Sequence, residues 1–190
     1  DDDDHKRIKD LNLFAQKKMF QYLEPASIIE KLGDFPDALL NEPIGGISKN
    51  FEQTSFIFIE SNNTNCFIFS DLKFSISEFI LTRNPHDNNI LTDLGFPEVL
   101  FEDDIKFSNM FLLHSPDKEA VLKLFDKDTR ASLLELFNEN YPNIYAKNNM
   151  IALVTTPKVN IVQIPEYIET LNKLHLLLQA KLKEPSVLNA

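Results

Sequence analysis

Two short apolar runs constrain this chain more than anything else in it. Residues 56–59 (FIFI) and 66–69 (CFIF) each place four apolar side chains in a row, separated by the turn-rich tetrad Ser61-Asn62-Asn63-Thr64. Runs of this length bounded by turn residues predict a hairpin, with residues 54–60 paired to 65–73. A strand with one wet face alternates apolar and polar residues. A continuous run needs cover on both faces, so these strands are expected near the centre of a sheet, with helices or loops on each side.

Residues 107–125 (FSNMFLLHSPDKEAVLKLF) extend the pattern from strand to helix. The spacing predicts a strand over 107–114, a sharp stop, and a helix over 117–125. Ser115 reads as the helix cap, and Pro116 as the first helical residue, where its missing N–H costs nothing. Asp117 would put a carboxylate on the positive end of the helix dipole. Ala120, Val121, Leu124 and Phe125 form one apolar stripe that needs a surface to lie on.

The remaining segments fit the same class. An amphipathic helix is predicted over 5–20 (Ile8, Leu11, Ala15, Met19), and a short one over 27–32 with Ser27 and Glu30 as a capping box. A strand over 44–49 carries Gly45-Gly46, which marks a bulge or a close backbone approach. Further strands are expected over 75–82 and 159–164, a polar loop over 83–94, and a second hairpin from 143–146 and 150–155. Asp128 reads as the cap of a helix reaching 138, and Pro165 opens a last helix with Leu171, Leu174 and Leu178 on one face. The expected fold is therefore α+β: a mostly antiparallel sheet with amphipathic helices packed on it and helices at both termini. One domain over 6–185 is expected, with two small halves meeting near 83–97 as the alternative. Asp1–Asp4 read as an acidic extension, a native tail or the remnant of a tag, and the missing initial Met suggests a piece of something longer.

Composition narrows the function classes. A chain of 190 residues buries about 70% of its unfolded surface and needs no metal or disulfide staple. Phe dominates the aromatics, with 16 Phe, 4 Tyr and no Trp, which suits a core without polar handles. Four glycines argue against Gly-rich phosphate loops. The net charge of −10 opposes nucleic acid and anionic lipid as default partners. Cys66 is the only cysteine, so no internal disulfide forms, and a reducing, cytoplasmic setting fits. No stretch reaches the ~20 apolar residues that span a bilayer.

Chemistry-bearing motifs are sparse. His5, His86, His114 and His175 fall in no metal-ligand spacing, and neither a metal site nor a cofactor is expected. His175 reads as solvated on the last helix. Cys66 reads as a buried thiol, and Glu102-Asp103-Asp104 as a solvated negative face. No catalytic residue is assigned. The one candidate ligand site is His114, Ser115 and Asp117, where a strand end meets a helix N-terminus.

Three pieces in order carry a resemblance: Phe14-Ala15 with Phe20 and Tyr22, the strand and hairpin of residues 44–69, and the strand-helix unit of residues 107–125. Together they resemble the soluble α+β domain of a widespread group of uncharacterised bacterial proteins, in which one or two membrane helices precede the domain. Met19 and Asn50 stand where that group usually has glycine. The resemblance implies an intracellular domain near a membrane and carries over no catalytic residues. Two function readings follow. One is a non-enzymatic interaction or scaffold domain, the cytosolic part of a membrane-tethered protein, with a protein as partner. The other is an enzyme or small-ligand receptor with a pocket at the end of the 107–114 strand. Nothing in the sequence sets the oligomeric state.

Overall fold

The hairpin read from the twin apolar runs sits near the middle of a nine-stranded sheet in the computed structural model, which describes residues 2–52, 54–83, 94–137 and 143–183. The strands are β1 (Gln21–Leu23), β2 (Pro43–Asn50), β3 (Ser55–Ser61), β4 (Asn65–Ser70), β5 (Ile76–Arg83), β6 (Glu98–Val99), β7 (Phe111–His114), β8 (Asn143–Asn148) and β9 (Met150–Thr155). The helices are α1 (Asp2–Lys18), α2 (Pro25–Leu32), α3 (Asp37–Leu40), α4 (Ile105–Met110), α5 (Lys118–Leu124), α6 (Lys127–Leu136) and α7 (Ile164–Lys183). Strand order is β1-β2-β3-β4-β9-β8-β5-β7-β6, and every pairing is antiparallel. The α+β expectation with helical ends holds.

Period-two alternation sorts the central strands onto two cores. Phe56, Phe58, Phe67, Phe69, Ile151 and Leu153 point to one face, where α1 and α4–α7 lay Leu11, Phe107, Val121, Leu133, Leu171 and Leu178 against them. Ile57, Ile59, Cys66, Ile68, Ala152 and Val154 point to the other, beneath Ile28 and Leu32 of α2 and Leu39 and Leu40 of α3. The paired cores explain the unbroken runs.

Gly45 and Gly46 do both things expected of them. The β2–β3 register shifts between Pro43 and Gly45. A Cβ on Gly46 would lie 2.5 Å from the Phe58 carbonyl oxygen and 3.0 Å from Ile28 Cδ1, so glycine lets α2 approach the sheet.

Several local expectations are corrected. Residues 105–110 are helical, so the strand there is only Phe111–His114. Asp104 accepts a hydrogen bond from the Phe107 N–H at 3.0 Å, and Phe107 packs on Phe101 and Phe111. The i, i+4 spacing of Phe107 and Phe111 is a helical one. Helix caps also move: Glu24 precedes α2 with Pro25 in its first turn, Asp117 caps α5, and Asp126 caps α6 by accepting from Thr129 N–H at 2.9 Å. Residues 159–164 form no strand. Asn160 and Gln163 close a capping box around a 3-10 turn at Ile161–Gln163. Asp2–Asp4 belong to the first turn of α1, where carboxylates suit the helix dipole. His175 is buried, 5% exposed, because it falls at i+4 from Leu171 and i−3 from Leu178 on the inward stripe of α7. Most of the 83–94 loop, the end of the 128–138 helix and Pro185 lie outside the described residues.

Candidate functional site

The three residues singled out from sequence are placed differently. His114 ends β7 half-buried, opposite Ile80 on one side and Glu98 on the other. Ser115 is closed off at 1% exposure; its hydroxyl donates to the Glu78 carbonyl at 2.7 Å and accepts from the Asp117 N–H at 3.0 Å. Asp117 lines a cleft of about 420 Å³ shared with Ser75, Ser77, Lys123 and Lys181. Its carboxylate holds the α5 N-terminus through the Ala120 N–H at 3.1 Å. The charges around it are matched: Lys123 pairs with Glu119 at 3.2 Å and Lys181 with Asp126 at 2.5 Å.

A stronger polar centre lies at the other half of the sheet. Glu60 ends the apolar run of β3 with its side chain 0% exposed. Arg7 of α1 grips it bidentately, Nε to Oε1 at 2.8 Å and Nη2 to Oε2 at 3.0 Å. Lys158 Nζ stands 3.0 Å from Oε1, and Asn65 Nδ2 donates to Oε2 at 2.8 Å. Arg7 also donates to the Val159 carbonyl at 2.5 Å, and Asn65 Oδ1 accepts from the Val159 N–H at 2.8 Å. Every member has partners, which is what makes a buried charge tolerable. The result is a clamp binding α1, the β3–β4 hairpin and the segment after β9.

Arg130, Asp104 and Tyr145 are likewise spent inside the fold. Arg130 joins Asp104 at 2.9 Å and Asp103 at 3.3 Å, and lies 4.6 Å over the Phe101 ring. The expected solvated acidic face is thus partly a structural pair. The Phe107 N–H first, and Arg130 beside it, hold the Asp104 carboxyl below its usual range. Tyr145 donates to Glu78 at 2.5 Å, and burial followed by that carboxylate pushes its phenol up. Burial raises the Cys66 thiol, which makes it inert as a nucleophile at neutral pH.

Among the open clefts formed by described residues is a groove of about 590 Å³ between α1 and the 3-10 turn. Leu13, Phe14, Ile161, Val162 and Pro165 form its apolar part, with Lys17 and Lys18 at one end and Asp10 and the clamped Arg7 at the other. The capping box sets this geometry: it buries Ile161 at 8% exposure and turns the next residue, Val162, out to 75%. Leu13 faces the same space at 44% exposure. Two large apolar side chains on opposite walls of an open groove are equipped for contact.

Sequence reading missed this centre. Glu60 carried a signal, since a charge closing a doubly covered strand must find partners. Arg7, Lys158 and the groove walls carried none, because they converge only through the fold. Among the described residues, no group of three His, Cys, Asp or Glu side chains could hold a metal ion. Nor is any helix among them long and apolar enough to cross a membrane.

No family model and no curated protein matches the chain. Among solved structures, it is similar to the mycobacterial trehalose monomycolate transport factor A, TtfA, at a TM-score of 0.59 and 11% sequence identity over 90% of this chain and 94% of that one. That likeness places the α+β architecture among known folds.

Proposed function

We propose that this is a non-enzymatic accessory domain that works by docking a protein partner in the groove between α1 and the Asn160–Pro165 segment, and that it does so at the inner face of a membrane. The observation that carries the docking reading is the pair Leu13 and Val162, large apolar side chains at 44% and 75% exposure flanking about 590 Å³ of open space. Grooves with apolar walls and polar ends are how folded domains take up an extended or helical segment. The buried charged groups, by contrast, are turned to holding the fold together. The fold likeness to a transport factor supports an accessory, transport-related role. The membrane setting is supported by the resemblance of residues 14–22, 44–69 and 107–125 to domains that follow membrane helices.

A photo-activated cross-linker placed at Val162 tests the reading in cells expressing the full-length protein. A discrete adduct from Val162, absent when the cross-linker sits at Leu122 on α5, is the expected result. No adduct, or the same adducts from both positions, contradicts it.

A further inference from the structure

Beside the groove, α1 ends in a left-handed turn that carries Phe20 onto the core, where its ring meets Phe14 at 5.7 Å and Phe56 at 6.0 Å. Phe20 N–H returns to the Ala15 carbonyl at 2.9 Å, which closes the helix with Met19 in the left-handed region at φ 62°. Glycine is the residue that adopts this conformation without strain. Here a methionine takes it and projects into solvent at 83% exposure. The packing of Phe20 offsets the cost of that backbone, and the methionine side chain itself is left standing in solvent.

The surroundings of Met19 have a distinct chemistry. Lys17 and Lys18 precede it, both exposed. Lys49 of β2 donates to the Lys18 carbonyl at 3.2 Å and lies 5.0 Å over the Phe20 ring and 6.0 Å from that of Phe51. Phe51 is itself 40% exposed. Residues 13–22 and 47–52 hold three lysines and a single carboxylate, Glu52, in a chain of net charge −10.

We infer that this corner, Lys17, Lys18, Met19, Lys49 and Phe51, docks directly on an anionic lipid surface. Lysines meet the headgroups, while the unbranched Met19 and the edge of Phe51 enter the interface. Charge complementarity favours this occupant: in a chain of net charge −10, three lysines stand together here with a single carboxylate in the flanking segments, so this corner is attracted where the net charge is repelled. Shape selects it as well. Met19 protrudes where the groove beside it recedes, and a protruding apolar side chain ringed by cations suits a soft interface. Lys17 and Lys18 also stand at one end of the groove, so the test uses the purified chain, with no groove partner present.

Co-sedimentation with vesicles tests it. The chain is expected to pellet with vesicles of mixed phosphatidylcholine and phosphatidylglycerol, to remain in solution with phosphatidylcholine alone, and to be released by salt. Inorganic phosphate at matched ionic strength should release no more than chloride does, which separates a lipid surface from a free-phosphate site. Exchanging both Lys17 and Lys18 for Glu should weaken binding by about tenfold or more. Met19→Gly is the sharper variant. It relieves the backbone, so folding is preserved or improved, yet vesicle binding should fall. Lys118→Glu, on α5, should bind as the wild type does. Failure to pellet with anionic vesicles, equal pelleting with neutral ones, or full binding by Met19→Gly and the Lys17/Lys18 variant would each overturn the inference.

Discussion

Arg7 and Glu60 stand 53 residues apart in the chain and meet in a two-point ion pair at 2.8 and 3.0 Å, with the carboxylate fully buried. The pair fixes α1 to the end of β3, and α1 is one wall of the proposed docking groove. Removing Arg7 leaves the buried carboxylate only Lys158 and Asn65, and removing Glu60 leaves Arg7 and Lys158 without their shared carboxylate. Because some partners remain, the loss is about 3 kcal/mol, the low end for a broken buried pair. Arg7→Met or Glu60→Leu alone should lower the urea midpoint by that measure. The double substitution should cost less than the sum of the singles, because the contact between Arg7 and Glu60 is lost only once, while Lys158 is deprived of its carboxylate in both backgrounds that lack Glu60. Additive losses would mean that the contact is not a coupled pair.

Gly46 and Gly45 should tolerate a methyl group very differently. On Gly46 it meets the Phe58 carbonyl at 2.5 Å, a backbone atom in the next strand. On Gly45 it meets Tyr22 Oη at 2.6 Å and Ile8 Cδ1 at 2.9 Å, both ends of side chains that can move. Gly46→Ala should cost about 2–3 kcal/mol or more and Gly45→Ala clearly less. Thermal unfolding of the two variants ranks them, and equal costs would refute the packing described for α2 on β2.

Ser115 and Asp117 should behave as parts of the scaffold. Asp117→Ala removes the α5 cap and should cost about 1 kcal/mol, with Asp117→Asn recovering most of it. Ser115→Ala leaves the Asp117 N–H without its side-chain acceptor in a closed position and should cost about 1–3 kcal/mol. Denaturant titration measures both. A Ser115→Ala variant as stable as the wild type would contradict the hydrogen bonding seen at the end of β7.

His175 gives the fold a predictable acid response. Its ring stacks on Phe74 at 5.6 Å and meets Phe69 edge-on at 5.9 Å, and its Nδ1 has no hydrogen-bond partner. Burial first, and the charge of Lys183 second, hold its pKa below the ordinary 6.5. The unfolded imidazole therefore takes up its proton at a higher pH than the folded one. Stability contributed by neutral His175 is complete above the unfolded value and falls as pH drops through it toward the folded value. His175→Phe should flatten that part of the stability profile; an unchanged slope below pH 6.5 would show that the imidazole is not the group responsible.

The parts of the fold legible in sequence were those whose cause is local. The doubly covered hairpin followed from FIFI and CFIF, and the bulge and close backbone approach in β2 from the Gly45-Gly46 dipeptide. Helix α4 was hidden because Phe107, Met110 and Phe111 satisfy a strand as readily as a helical turn, and the deciding contact, Asp104 with the Phe107 N–H, is a capping detail. His175 was misplaced because its polarity outweighed its position in the α7 stripe. The candidate site was the least legible part. Its walls, Leu13 and Val162, lie far apart in sequence, and the Arg7–Glu60 clamp that sets one of them is visible only once the chain has folded.

The docking claim is tested most directly by perturbing one wall of the groove while reporting from the other. With the photo-cross-linker at Leu13, the chain is expected to form its adduct, and Val162→Asp in the same molecule should abolish it without shifting the thermal midpoint, since Val162 is 75% exposed. An adduct that survives Val162→Asp undiminished would place the partner elsewhere and remove the groove from the account.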